Sequence, residues 1–148
     1  MSLKPIPRIF VDADVLFAGS AGPSEHSASQ VILRMAEINL IDALISEQVF
    51  IEVERNLAAK LPQAIPNFRH LVSRCLQIVP DPSAKSIEAH QGKADPKDLP
   101  ILVAAAREGC SWLVTFNISH FQPGLEEVTI LEPGSFILLV RDLLMQLS

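Results

Sequence analysis

Three features are scarce in this sequence of 148 residues: cysteine, long apolar runs and positive charge. The two cysteines, Cys75 and Cys110, lie far apart in apolar surroundings. Their spacing does not match that of a zinc site. We therefore expect two buried, free thiols in a reducing cytoplasm.

No apolar stretch is long enough to cross a bilayer. The first, residues 9–18, is interrupted by Asp12 and Asp14 and lacks the features of a signal peptide. The second, residues 136–140, runs directly into charged residues. The sequence therefore predicts a soluble, cytoplasmic protein without a membrane segment.

A formal net charge of −5 argues against a broad basic surface for tight nucleic-acid binding. It does not exclude a nuclease, because acids gathered in one site can be neutralised by metal ions. The remaining composition, 49% hydrophobic and 20% charged without low-complexity tracts or repeats, is that of a globular domain. We expect residues 1–148 to form a single domain with a sizeable core.

Short apolar runs alternate with helical patterns along the chain. Strands are predicted at residues 9–11 (ending at 12–15), 41–45, 76–79, 112–115 and 128–131, with a turn region at 19–24. Helices are predicted at residues 27–38, 46–61, 66–71, about 98–109 and about 135–147. Ser46 is a favourable N-cap for the second of these helices, Pro62 ends it, and Gly109 ends the fourth.

This alternation predicts an α/β fold, a three-layer sandwich with a central, mostly parallel β-sheet flanked by helices. In such sheets, ligands bind outside the carboxyl ends of the strands. Asp12 and Asp14 end the first strand, Asn117 follows the strand at 112–115, and Asp98 lies in a polar loop before a helix. These polar residues are therefore expected to converge on one edge.

Asp12 and Asp14 are the least ordinary acids in the sequence. Two acids at positions i and i+2 of a strand point to the same side. They directly follow Ile-Phe-Val, where burial is costly unless a cation or hydrogen bonds satisfy them. The alternative is a solvated strand end with turn-forming acids.

The other acids carry no functional claim singly. Glu52 taken alone is a solvated glutamate on a helix. Asp98 taken alone is an N-cap, and Asp95 before Pro96 is a turn residue.

The order and context of these acids are more specific than any one of them. The run Ile-Phe-Val-Asp12-Ala-Asp14-Val-Leu resembles the opening strand of PIN domains, whose first Asp is a metal ligand and whose second position is commonly Asn. The helix after Ser46 resembles the second PIN signature, and a glutamate six residues after the serine favours Glu52 over Glu54. Asp95-Pro-Lys-Asp98 before an apolar helix is similar to the third, with Asp98 as the ligand.

The resemblance continues to the end of the chain. Residues 113–121 resemble the fourth signature, and residues 130–136 resemble the last strand and its exit. Asn117 occupies a position that is often Asp, and Asp14 is expected to restore the charge that this removes. His120 also stands where an Asp is often found; we expect a solvated loop histidine, with phosphate contact as the alternative. The pattern is most similar to bacterial PIN proteins that are toxin components of toxin–antitoxin systems.

The resemblance implies a metal-dependent endoribonuclease that hydrolyses RNA phosphodiester bonds. A carboxylate cluster without His or Cys suits Mg²⁺ or Mn²⁺. Further expectations are an antitoxin protein as partner and a homodimer. The implied residues are Asp12, Glu52, Asp98 and Asn117 for catalysis, Asp12, Glu52, Asp98 and Asp14 for the metal, and Thr115, Lys97 and Lys93 for the substrate, with Arg55 as a further backbone contact.

Two other interpretations stay open. The run Val-Asp12-Ala-Asp14-Val also resembles the first motif of haloacid-dehalogenase phosphatases, but those enzymes need a later lysine and none follows Lys97. The other interpretation is a PIN scaffold that has lost activity and binds protein or RNA. Asn117 and His120 favour this scaffold, whereas the retained acids oppose it.

Overall fold

A computed structural model describes residues 6–21 and 27–147. Its five strands are β1 (Arg8–Val11), β2 (Asp42–Ser46), β3 (Leu76–Val79), β4 (Trp112–Val114) and β5 (Thr129–Leu131). They form one sheet in the order β3-β2-β1-β4-β5. All four neighbouring pairs are parallel, which confirms the predicted α/β class.

Seven α-helices connect and flank these strands in the described part of the chain. They are α1 (Ala13–Ala21), α2 (Ala28–Glu37), α3 (Glu47–Lys60), α4 (Ile65–Cys75), α5 (Ala84–Ala89), α6 (Leu99–Arg107) and α7 (Pro133–Met145). Short 3₁₀ turns lie at Pro62–Ala64 and Ile118–Phe121. Among the described residues, no helix combines the length and the apolar character that crossing a membrane would require.

The sheet is covered on both faces, as the predicted three-layer sandwich requires. Ile9, Phe10 and Val11 are consecutive in β1 and all fully buried. Successive strand residues point to opposite faces, so burial of all three means that both faces are covered. Helix α1 packs against α2 and α3, whereas α6 packs against β4 and α5.

Helix α3 begins and ends as its sequence predicts. The Ser46 hydroxyl accepts a hydrogen bond from the Val49 N–H at 3.3 Å, and the helix stops before Pro62. Val49, Val53 and Leu57 form its buried stripe at a spacing of four residues. Glu52 precedes Val53 and is therefore held at the margin of the buried face.

The region after β1 departs from the prediction. Asp14 lies in the first turn of α1 and not in a strand, so strand alternation is the wrong reason for its proximity to Asp12. Gly19 lies inside α1 and not in a turn. A Cβ at Gly19 would come within 2.7 Å of the Leu33 side chain, so glycine permits the close packing of α1 on α2. Residues 22–24 of the predicted turn lie outside the described residues.

Other differences are smaller. Helix α4 continues beyond the predicted end at Leu71 to Cys75, and α7 begins at Pro133, two residues earlier than predicted. Helix α5 was not predicted. Cys75 and Cys110 are free and buried, as expected.

The strand order creates a crevice at one edge of the sheet. From β1, the chain builds outward through β2 and β3 on one side, and it returns to place β4 and β5 on the other. The crevice between the carboxyl ends of β1 and β4 is thus a topological switch point, the usual ligand position in such sheets. Asp12 directly follows β1, and Thr115 directly follows β4.

Candidate active site

Asp12 is held in place from three directions. Its backbone N–H donates to the Val114 carbonyl at 3.0 Å, which continues the β1–β4 pairing. One carboxylate oxygen, Oδ1, accepts from the Ala13 N–H at 2.8 Å, and the other, Oδ2, accepts from the Thr115 hydroxyl at 2.7 Å. Only 6% of Asp12 is exposed, so its carboxylate is both fixed and poorly solvated.

Asp14 faces the same end of β4 from the first turn of α1. Its Oδ2 accepts from the Phe116 N–H at 3.1 Å and from the Asn117 side-chain amide at 3.0 Å. Its Oδ1 is buried and has no hydrogen-bond partner among the described residues. A buried carboxylate oxygen without a donor is costly unless a cation or water binds it.

Thr115 links these acids at the end of β4. It is fully buried, and besides donating to Asp12 its hydroxyl accepts from the Asn117 N–H at 3.0 Å. Contact of Thr115 with substrate stays a prediction. The position of Thr115 suits it to orient Asp12.

Asp98 and His120 meet at the opposite wall. Asp98 precedes α6, but its side chain makes no capping hydrogen bond. Instead, Asp98 Oδ2 lies 3.3 Å from His120 Nδ1. The carbonyl of His120 accepts from the Asp95 N–H at 2.9 Å and joins the two loops. His120 is exposed, with 47% of its side chain accessible to solvent, as expected for a solvated loop histidine, and it also lies beside the acidic residues.

Glu52 reaches the site from α3. Its Oε1 lies 3.7 Å from Lys97 Nζ, and the Gln48 side-chain amide donates to the Lys97 carbonyl at 3.2 Å. Glu54 instead pairs with Arg69 at 2.9 Å, so only one of the two glutamates turns toward the other acids.

One cavity of about 180 Å³ brings most of the predicted residues together. It is lined by Asp12, Ala13, Asp14, Glu52, Asp95, Lys97, Asp98, Asn117 and His120. Lys93 is not among them. Five carboxylates thus share this cavity with a single lysine. A bound cation would reduce the repulsion between these acids.

The pKa values reflect this concentration of acids. Burial, followed by the negative charge of Asp14, raises the pKa of Asp12 from its ordinary value of 3.8 to about 7. Burial is also the largest cause that raises the pKa of Asp14 and of Asp98. Each charged carboxylate is therefore destabilised when no cation is bound.

The donor set fits a hard divalent cation. Carboxylate oxygens are preferred by Mg²⁺ and Mn²⁺, and the unpartnered Asp14 Oδ1 supplies one. In the described part of the chain, atoms of Asp95, Asp98 and His120 lie within 4.8 Å of one another, a grouping that differs from the predicted set. Sequence reasoning missed this grouping because 22 residues separate Asp98 from His120.

The protein is thus a parallel α/β sandwich with a carboxylate cluster at the switch point of its sheet. The model of the PIN domain family matches residues 8–119, and the chain belongs to this family. Membership sets aside the haloacid-dehalogenase alternative.

Solved structures support the same fold. VapBC2 from Rickettsia felis, bound to a DNA fragment from its promoter, matches with a TM-score of 0.61 and 21% identity, covering 84% of this chain and 97% of that one. VapC20 from Mycobacterium tuberculosis, a toxin that cleaves the sarcin–ricin loop, matches with a TM-score of 0.52 and 16% identity, covering 71% and 86%. No curated protein sequence matches the chain.

Proposed function

We propose that this protein is a Mg²⁺- or Mn²⁺-dependent endoribonuclease, a hydrolase of RNA phosphodiester bonds. The observation that carries the proposal is the convergence of five carboxylates, from the end of β1, from α1, from α3 and from the loop before α6, on one cavity. Without a common ligand, acids from so many elements would each point into solvent. Their approach is unfavourable without a cation, as the raised pKa of Asp12 illustrates.

The residues of the cavity have different proposed roles in binding the cation and the substrate. Asp12, Glu52 and Asp98 hold the cation, with Asp14 as an additional ligand. Asn117 orients Asp14 through its amide, and Lys97 binds the phosphate of the substrate. When bound, the ion supplies Lewis-acid stabilisation of charge on the phosphate and lowers the pKa of a nucleophilic water. Lys93 does not line the cavity and is left out of these contacts.

The proposal includes a toxin role, inhibition by an antitoxin protein and a homodimer in the cytoplasm. Its support is family membership and the likeness to VapBC2 and VapC20. The toxin role predicts that induced expression arrests growth and that the Asp98→Asn variant does not.

Inhibition by an antitoxin predicts that a co-expressed neighbouring gene product restores growth. Sedimentation equilibrium tests the homodimer, which requires twice the 16.2 kDa mass of the chain.

Cleavage of a mixed RNA panel tests the activity. We expect cleavage with Mn²⁺ or Mg²⁺, none with EDTA, and a loss of at least about 100-fold in Asp98→Asn, because a ligand charge is lost while Asn still suits the start of α6. Glu52→Gln should show a similar loss. Glu54→Gln is the matched control on the same helix, because Glu54 pairs with Arg69 outside the cavity.

Three results bear against this proposal. Cleavage that survives in Asp98→Asn and Glu52→Gln would mean a misplaced site or a contaminant. A loss in Glu54→Gln equal to that in Glu52→Gln would mean general damage to α3. An absence of both cleavage and Mn²⁺ binding would favour the inactive scaffold.

A further inference from the structure

An open groove of about 530 Å³ adjoins the acidic cavity. Glu52 and Lys97 line both, so the groove and the cavity are neighbours that share a wall. Its volume falls within the usual range for sites that bind small organic groups. The other lining residues are Gln48, Ile51, Arg55, Asn56 and Asp81.

Helix α3 forms one wall of the groove. Gln48, Ile51, Glu52, Arg55 and Asn56 recur at spacings of three and four residues, which places them in one row on the helix surface. The row extends about 12 Å along the helix axis. It combines a cation, two side-chain amides and an apolar surface, since 52% of Ile51 is exposed.

Arg55 is the unengaged charge in this groove. Five other arginines, Arg8, Arg69, Arg74, Arg107 and Arg141, each lie 2.9–3.4 Å from a carboxylate oxygen. Arg55 has no such partner within residues 6–21 and 27–147, although acids outnumber bases in the chain. An exposed guanidinium left free beside a groove is available to bind an anion.

The two carboxylates of the groove are already engaged. Asp81 Oδ1 accepts from the Gln48 N–H at 3.0 Å and so satisfies the start of α3. Glu52 faces Lys97 at 3.7 Å. Neither acid forms an ion pair with Arg55 in the described part of the chain, so its guanidinium stays open to an anion.

We propose that this groove binds the single-stranded RNA segment next to the cleaved bond, with Arg55 on a backbone phosphate. The inference rests on the proposed ribonuclease function, which puts the cleaved phosphate in the adjoining cavity. The amides and Ile51 suit the sugar and base of an unpaired nucleotide, whose edges and face are accessible. A duplex fits poorly, because it presents two rows of phosphates to a surface with few unpaired cations.

The test compares Arg55→Ala and Arg55→Lys with Arg74→Ala. Arg74 pairs with Glu37 away from the groove, so its loss removes the same charge elsewhere. A short, labelled single-stranded RNA that the wild type cleaves is the probe. Its Kd is measured by fluorescence anisotropy in EDTA, and kcat and KM are measured with Mn²⁺.

For Arg55→Ala we expect Kd and KM to rise about tenfold, as for loss of a charged hydrogen bond, with kcat and Mn²⁺ affinity unchanged. The slope of log K against log salt should decrease by about 0.7, the value for one phosphate contact on a single strand. Arg55→Lys should recover part of the affinity. Arg74→Ala should match the wild type, and a duplex of the same sequence should bind more weakly.

The outcomes separate the two proposals. If the wild type cleaves RNA and Arg55→Ala is indistinguishable from Arg74→Ala, the groove proposal is wrong and the nuclease function stands. Duplex binding as tight as single-strand binding also overturns it. If the wild type cleaves nothing, the ribonuclease function is wrong. An uncleaved RNA from the panel then serves as the anisotropy probe. Equal affinity of the wild type and Arg55→Ala for this RNA would mean that the groove proposal is wrong as well.

Discussion

Thr115 is a buried residue that is expected to act on the site through its contact with Asp12. Its hydroxyl donates to Asp12 at 2.7 Å and lowers the pKa of that carboxyl against the larger effect of burial. Thr115→Val keeps the shape but removes the donor. We expect about a tenfold loss of Mn²⁺ affinity, in the range for residues that orient metal ligands, measured by isothermal titration calorimetry.

The control for this prediction is Thr129→Val, an exposed threonine in β5. It should leave Mn²⁺ affinity unchanged. Circular dichroism should show that both variants fold. Equal affinity in Thr115→Val and the wild type would mean that the hydrogen bond to Asp12 has no influence on the cation.

The buried acids also predict how stability depends on pH. Asp12 has a pKa of about 7 in the folded protein against 3.8 ordinarily, so folding favours its protonated form. Protonated Asp12 makes its full contribution to the free energy of unfolding below about pH 4. This contribution is lost as the pH rises through about 7. The free energy of unfolding of the metal-free protein should therefore decrease relative to Asp12→Asn over this interval. Asp14 and Asp98 are shifted in the same direction.

Urea denaturation in EDTA at several pH values between 4 and 8 measures this difference. Asn cannot ionise, so its constant structural cost cancels from the trend with pH. A difference between wild type and Asp12→Asn that does not change with pH would contradict the burial of a charged Asp12. Mn²⁺ should reduce the trend, because it competes with the proton for the same carboxylate.

The sequence predicts some residues of the candidate site and misses others. Asp12, Glu52 and Asp98 follow from their order and local context. Asp14 was predicted from strand alternation, yet it reaches the site from the first turn of α1. His120 was not placed in the site, because no local pattern reveals its approach to Asp98 across 22 residues of chain.

Helix α3 contributes residues to both the cavity and the groove. It presents Glu52 to the cavity and Arg55 to the groove, and it is started by the buried hydroxyl of Ser46. Ser46→Ala should lower the free energy of unfolding by about 1 kcal/mol. It should also weaken Mn²⁺ binding, because Glu52 lies only two turns from the altered end.

Ser83→Ala is the matched control for Ser46→Ala. Ser83 caps α5 in the same way, accepting from the Ser86 N–H at 3.1 Å, but α5 contributes no residue to the cavity. Chemical denaturation should show a loss of stability in both variants, with Mn²⁺ affinity reduced only in Ser46→Ala. Reduced affinity in both variants would indicate that general destabilisation, and not α3, governs binding.

The elements that the sequence predicts well are those with caps and apolar periodicity. Ser46 is the predicted cap of α3, and its side chain accepts the expected N–H. Ser27, where the sequence begins the preceding helix, caps α2 in the same way. Helix α5 has six residues and buries none of them, so it leaves no apolar pattern to detect. Gly19 was assigned to a turn because the local sequence does not reveal its tight packing against Leu33, which is a tertiary contact.

For the whole molecule, the distribution of charge matters more than its total. A net charge of −5 suggested a poor nucleic-acid binder, but five acids are gathered in one cavity, where a cation can neutralise them. Most arginines are paired elsewhere, and Arg55 is left free beside that cavity. Composition predicts neither arrangement, because both depend on which surfaces the fold brings together.

If the acidic cavity holds a divalent cation, crystals grown with Mn²⁺ will show it. An anomalous difference map from such crystals of the wild type is compared with a map from crystals of Asp98→Asn grown identically. We expect a peak within coordination distance of Asp12 and Asp98 that is lost or weakened in the variant. Well-ordered carboxylates without a peak, or a peak confined to another surface, would contradict the account.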